Sequence, residues 1–157
     1  MFREMRRKGQ QVPQEECVRI LTQEKRAVLS VNGDDGYPYA VPINFYYDTA
    51  ENAIYFHSAM KGHKTDAMQN SDKVCFTVHD RGYKKEDWSY FVTSVIAFGR
   101  ASIVTDREIK RDKLRLFGQK YFPETVDIEE ELDSGMDRIN LIRIEIEHMT
   151  GKLVNER

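Results

Sequence analysis

A mainly β architecture, an antiparallel barrel of about six strands with helices at its flanks, is what this sequence predicts. Three observations carry that expectation. Short runs of β-branched and aromatic residues recur between turn-forming residues. Helical spacing of apolar residues surfaces only at intervals. Neither a G-x-G-x-x-G turn nor a Walker-type phosphate loop occurs, which argues against the dinucleotide and P-loop folds.

Residues 1–11 are polar and read as an extended arm. Pro13 suits the first position of a helix, where its missing N–H would have had no partner. Cys17, Ile20 and Leu21 then share one face of a short helix near 13–24. Residues 27–31 form a compact strand, and Asn32-Gly33-Asp34-Asp35-Gly36 a turn. The chain runs extended over 37–47, turns at 48–52 and returns through 53–57, an antiparallel meander. A helix over 60–70 leads to a strand over 73–79 and a charged loop at 81–86. A long β run spans 88–105, with Gly99 the place for a bulge. Asp106 caps a helix that aligns Leu114, Phe117 and Tyr121 and stops before Pro123. Acidic residues 127–133 read as a solvated helix or loop. Residues 142–146 alternate apolar with polar and close the sheet with one wet face.

At 157 residues, with no repeat or Pro/Gly/Ser linker, the expectation is a single domain over 1–157. A net charge of −2 argues against a nucleic-acid footprint, so Arg3, Arg6, Arg7 and Lys8 read as a solvated arm. No apolar run reaches the ~18–20 residues of a membrane span, and no secretory leader is legible. Cys17 and Cys75 lack paired spacing, which suits reduced thiols and a cytoplasmic location.

The chemistry concentrates where a strand runs into a helix, Tyr55-Phe56-His57-Ser58-Ala59-Met60-Lys61-Gly62-His63-Lys64. Unpaired N–H groups at a helix start attract anions. Ser58 is a candidate cap there, Gly62 permits close approach, and His63 and Lys64 can reach a phosphate. The plainer alternative makes Lys61 and Lys64 solvated helix charges. In Pro38-Tyr39-Ala40-Val41-Pro42-Ile43-Asn44, two prolines sit inside a strand and place it at an edge or mouth. Backbone groups left free there, with Asn44, match the edge of a planar ligand; the alternative is that the prolines protect an edge from aggregation. His57, His63, Cys75 and His79 make a poor metal set, because residues four apart in a strand share a face but lie too far apart to chelate.

The ordered combination resembles the nitroimidazole-resistance (Nim-like) branch of the pyridoxamine-phosphate-oxidase-like flavoproteins. The residues that carry it are Met5-Arg6-Arg7, the run from Asp35-Gly36 to Asn44, Tyr55-Phe56-His57-Ser58-Ala59 with Gly62 and Lys64, Ser94-Val95, Gly99-Arg100-Ala101 and Thr150-Gly151-Lys152. The resemblance implies a six-stranded split β-barrel and a homodimer with FMN at its interface. It implies that Val41, Pro42, Ile43 and Asn44 line the flavin ring, and that His57, Ser58 and Ala59 pass beside it. Gly62, His63 and Lys64 would hold the phosphate, while Trp88, Tyr90 and Ser94 would approach from the long strand or the partner. His57 is the candidate catalytic residue. Pyridoxamine-phosphate oxidases carry an arginine-rich strand where this chain reads Val41-Pro42-Ile43-Asn44, and their C-terminal substrate-binding arginine and histidine have no counterpart, so vitamin B6 oxidation is not implied. The leading expectation is an FMN-dependent oxidoreductase acting on a small electron-poor substrate such as a nitro compound. The alternatives are a split barrel for deazaflavin or haem, and a non-catalytic flavin binder.

Overall fold

A computed structural model, which describes residues 1–155, contains nine strands, four α-helices and three short 3-10 turns. In chain order they are β1 (Gln11–Val12), α1 (Gln14–Gln23), β2 (Ala27–Asn32), β3 (Pro38–Ile43), β4 (Tyr46–Asp48), β5 (Ala53–Ala59), α2 (His63–Asn70) and β6 (Lys73–His79). There follow β7 (Tyr83–Lys84), β8 (Tyr90–Ile103), α3 (Arg107–Tyr121), α4 (Ile128–Gly135) and β9 (Ile139–Asn155). The strands share one antiparallel sheet of order β3-β2-β6-β8-β9-β5-β4, with β1 added on β9 and β7 on β8.

The expected six strands become nine for definite reasons. The extended run 37–47 breaks at Asn44 and Phe45 into β3 and β4, and the two-residue β1 and β7 carry no periodic signal of their own. That break shapes the whole sheet. β3 and β4 are its two outer strands, yet only two residues join them. The sheet must therefore curl until its edges nearly meet, an open barrel split along the β3–β4 seam.

Pairing fails at the seam, and Phe45 needs other partners there. Its N–H donates to the Tyr121 hydroxyl (2.8 Å), which lies 2.7 Å from the Phe45 carbonyl and 2.8 Å from that of Lys25. The end of α3 is thereby latched to the seam. Asp106 caps α3 by accepting from the N–H groups of Glu108 and Ile109, as its position predicts.

The barrel interior is filled by Leu29, Phe45, Phe56, Phe76, Ile142 and Ile144, with Cys17, Ile20 and Leu21 of α1 beneath. A second apolar cluster, including Tyr55, Leu114, Leu132 and Leu141, lies between the other face of β5–β9 and α3–α4. Register slips between Phe98 and Gly99, where a Cβ would strike the Glu145 carbonyl, so the bulge falls on its glycine. Val28, Ile96 and Phe98, each 39% exposed, leave apolar surface on the outer sheet face. Among the described residues no helix is long and apolar enough to cross a membrane.

Candidate functional site at the barrel seam

Asn44 sits in the seam, and the β4–β5 register sets it beside His57. Tyr46 pairs with Tyr55, so continuing that ladder two residues places Asn44 opposite His57. Both line one cavity of about 270 Å³, walled on its far side by Phe117, Tyr121, Leu132 and Met136 of the α3–α4 region and open toward solvent. The His57 ring meets Phe117 edge-on at 5.0 Å, and Phe117 stacks on Tyr121 at 4.7 Å. Neither the Asn44 amide nor the His57 imidazole makes a hydrogen bond to another described residue. Burial, and then the Lys64 charge, hold the His57 imidazole below its usual range, so it is neutral near pH 7.

Lys64 lies in the first turn of α2, half-buried and without an ion-pair partner among the described residues. Burial lowers its affinity for a proton. The helix before it opens on Gly62, whose φ of 136° keeps it out of the helix and whose Cβ position faces open space. α2 consequently starts at His63 rather than at residue 60. No side chain caps it, and Ser58 is turned inward, 3.3 Å from the Thr65 hydroxyl. The Gly62 carbonyl accepts from the N–H groups of Thr65 and Asp66, so those of His63 and Lys64 remain outside the helix ladder.

The other expected residues divide into two groups. Val41, Pro42 and Ile43 lie on β3, which has β2 on one side and the seam on the other. Ala59 ends β5, exposed. The His63 ring is already engaged, stacked on Tyr39 at 4.2 Å with Nε2 3.5 Å from Asp34. Trp88, Tyr90 and Ser94 stand elsewhere. His57 pairs with Leu141 of β9, whereas Ser94 pairs with Lys152, a contour of about 35 Å along extended chain. Trp88 is 65% exposed and precedes β8, and the Tyr90 hydroxyl donates to the Arg81 carbonyl. Within one subunit these three do not join His57. The α3–α4 wall escaped the sequence reading, since its one signal, the Leu114, Phe117 and Tyr121 stripe, reads equally well as ordinary core.

A wider cleft of about 780 Å³ runs between α3 and the β8–β9 strands. Its buried cation, Lys113, is spent on Asp48 at 2.7 Å and on Glu51. The charges there satisfy one another, and the seam is the better candidate.

The family described as "Pyridoxamine 5'-phosphate oxidase" matches residues 13–153. No curated relative matches the sequence. Among solved structures, a putative 5-nitroimidazole antibiotic resistance protein from Bacteroides thetaiotaomicron superposes with a TM-score of 0.81 at 22% identity, over 92% of this chain and 87% of that one. An FAD-binding protein from Mesorhizobium loti gives 0.65 at 24%, over 92% and 96%. An FAD and heme binding protein from Mycobacterium smegmatis gives 0.74 at 18%, over 92% and 73%. At these identities the likeness is one of fold.

Proposed function

Because this chain belongs to the pyridoxamine 5'-phosphate oxidase family, we propose that it binds a flavin, FMN, at the barrel seam and works as an oxidoreductase on a small electron-poor acceptor such as a nitro compound. One observation carries the reading. At the seam, Asn44 and His57 present unspent polar groups beside an uncapped helix start whose Lys64 lacks a counter-ion. The residues present fit the cofactor: an anion site at one end, an open strand edge and an amide for a planar ring at the other. FAD-binding neighbours of the same fold add support for a flavin.

When bound, the flavin supplies the electron-transfer chemistry, and the protein supplies position and electrostatics. Lys64 and the His63 and Lys64 N–H groups would neutralise the terminal phosphate. Gly62 leaves space for it, and Val41, Pro42, Ile43 and Asn44 would align the ring edge. Neutral His57 could accept a proton beside the ring and, as imidazolium, return it, the role that makes it the candidate catalytic group.

The chain works as a homodimer in this reading, with flavin at the interface. The distance of Trp88, Tyr90 and Ser94 from His57 within one subunit favours their delivery by a second copy. The apolar face with Val28, Ile96 and Phe98 supplies surface for it to cover.

The test is the absorption spectrum of the purified protein, followed by fluorescence titration with FMN and with FAD. Flavin bands and saturable FMN uptake at one per subunit are expected. A colourless preparation that takes up neither cofactor rejects the reading, and preference for FAD rejects the FMN assignment.

A further inference from the structure

We infer that the cavity between β5 and the α3–α4 pair is a ligand site of its own, fitted to an uncharged one- or two-ring molecule that presents an oxygen acceptor to Asn44 and His57. Size comes first. At about 270 Å³ it exceeds the ~150 Å³ that houses benzene and falls just short of the ~300 Å³ where drug-sized pockets begin. Two fused rings fit that range.

The lining sets the chemistry. Apolar and aromatic side chains from α3 and α4 make up most of the wall. Glu131 is the one charged residue among the lining, and it opposes an anionic ligand. At the β5 end, the Asn44 amide carries two N–H groups, of which the flavin edge would take one, and the second, with the N–H of the His57 imidazole, is used by no described residue. An apolar pocket with a few convergent polar groups at one end is the usual form of a small-molecule site. That this molecule is the reductase's acceptor rests on the flavin reading above, whereas its seat in the cavity does not.

Gly135 gives a clean test. It lines the cavity, its φ of −118° suits any residue, and no atom lies within 4 Å of an added Cβ. Gly135→Phe should therefore fill the cavity without straining the backbone. The probes are 1-tetralone, a neutral two-ring ketone, and 1-naphthoate, a two-ring anion. Binding is followed by ligand-observed NMR and by the His57 ring resonances, on protein with and without added FMN.

Saturable 1-tetralone binding that moves the His57 resonances is expected, with 1-naphthoate at least about tenfold weaker. Gly135→Phe should weaken 1-tetralone by a similar factor while leaving FMN affinity and the thermal midpoint unchanged. If that variant does not fold, Ile128→Trp, at a half-buried lining position packed on the second apolar cluster, replaces it with the same expectation for the two affinities alone. No saturable 1-tetralone binding, equal binding of 1-naphthoate, or binding indifferent to a folded filling variant overturns the inference. Parallel loss of FMN and 1-tetralone overturns it too, because the cavity would then belong to the cofactor. Failure of FMN to bind, with 1-tetralone bound as described, rejects the flavin reading alone.

Discussion

Lys64 and His57 face one another electrostatically, and each reports on the other. If the Lys64 ammonium holds the cofactor phosphate, Lys64→Ala removes a charge-assisted contact of about 1.5–3 kcal/mol. FMN affinity should then fall roughly ten- to hundred-fold in a fluorescence titration. Riboflavin, which lacks the phosphate, should bind as before, and exposed Lys61→Ala should leave both affinities unchanged. Unchanged FMN affinity in Lys64→Ala removes the phosphate assignment. The same substitution has a second readout. Burial and the Lys64 charge both disfavour imidazolium at His57, so His57 should titrate by NMR below the ~6.5 of a free histidine. Its midpoint should rise in Lys64→Ala, and a midpoint that stays put would mean the two groups do not interact. Lys64 was singled out because a strand end, a glycine and a basic residue in that order form a local pattern, Asn44 because two prolines free the end of its strand, and His57 mainly through the family resemblance. The inward turn of Ser58 was not. Its bond to Thr65 depends on how α2 docks, which no spacing encodes.

Among the elements, those with strong local codes matched their expectations. Cys17, Ile20 and Leu21 of α1 are fully buried, Asp106 caps α3, and Gly99 marks the slip in β8. β9 was foreseen only over 142–146 and runs over Ile139–Asn155, because alternation blurs through His148-Met149-Thr150-Gly151 while the neighbours β8, β5 and β1 still pair with it. One residue of α3 runs against its setting. The Lys120 ammonium is buried with no hydrogen-bond partner, 4.1 Å above the Phe45 ring, and burial pushes its pKa down to about 8. An unfolded lysine titrates near ~10.4, so across the window from about 8 to that value the unfolded chain holds a proton the folded chain has released. Stability should climb as pH rises through that window. Lys120→Met keeps the stem and removes the charge, and should flatten the climb while raising stability at pH 7. Equal denaturation midpoints for the two proteins across this range would show that Lys120 is solvated.

At the scale of the whole molecule, the outer sheet face is where the proposed dimer would form. Ile96 lies at its centre, pairing with Thr77 on one side and Thr150 on the other, with Val28 and Phe98 nearby. A charge there costs little in a lone subunit, since the side chain is already 39% exposed, but is expensive once a second copy covers it. If the proposed dimer forms there, Ile96→Glu is expected to turn it into a folded monomer in light scattering. Flavin affinity should fall with it, because Trp88, Tyr90 and Ser94 would no longer arrive from across the interface. A wild-type monomer with flavin fully bound would contradict this arrangement. The sheet order also sets a calendar for biosynthesis. β9 is the last described strand to emerge, yet it lies between β8 and β5 and carries β1 as well. Until it arrives, the nascent chain holds β5 and its His57 with only short β4 alongside, and the barrel cannot curl shut. Apolar strands 53–59 and 90–103 must wait with unpaired edges, the condition in which unfinished sheets stick to one another. The candidate site residues are thus translated early and assembled last, so a ribosome stalled short of residue 139 would release an aggregate rather than a partly closed barrel.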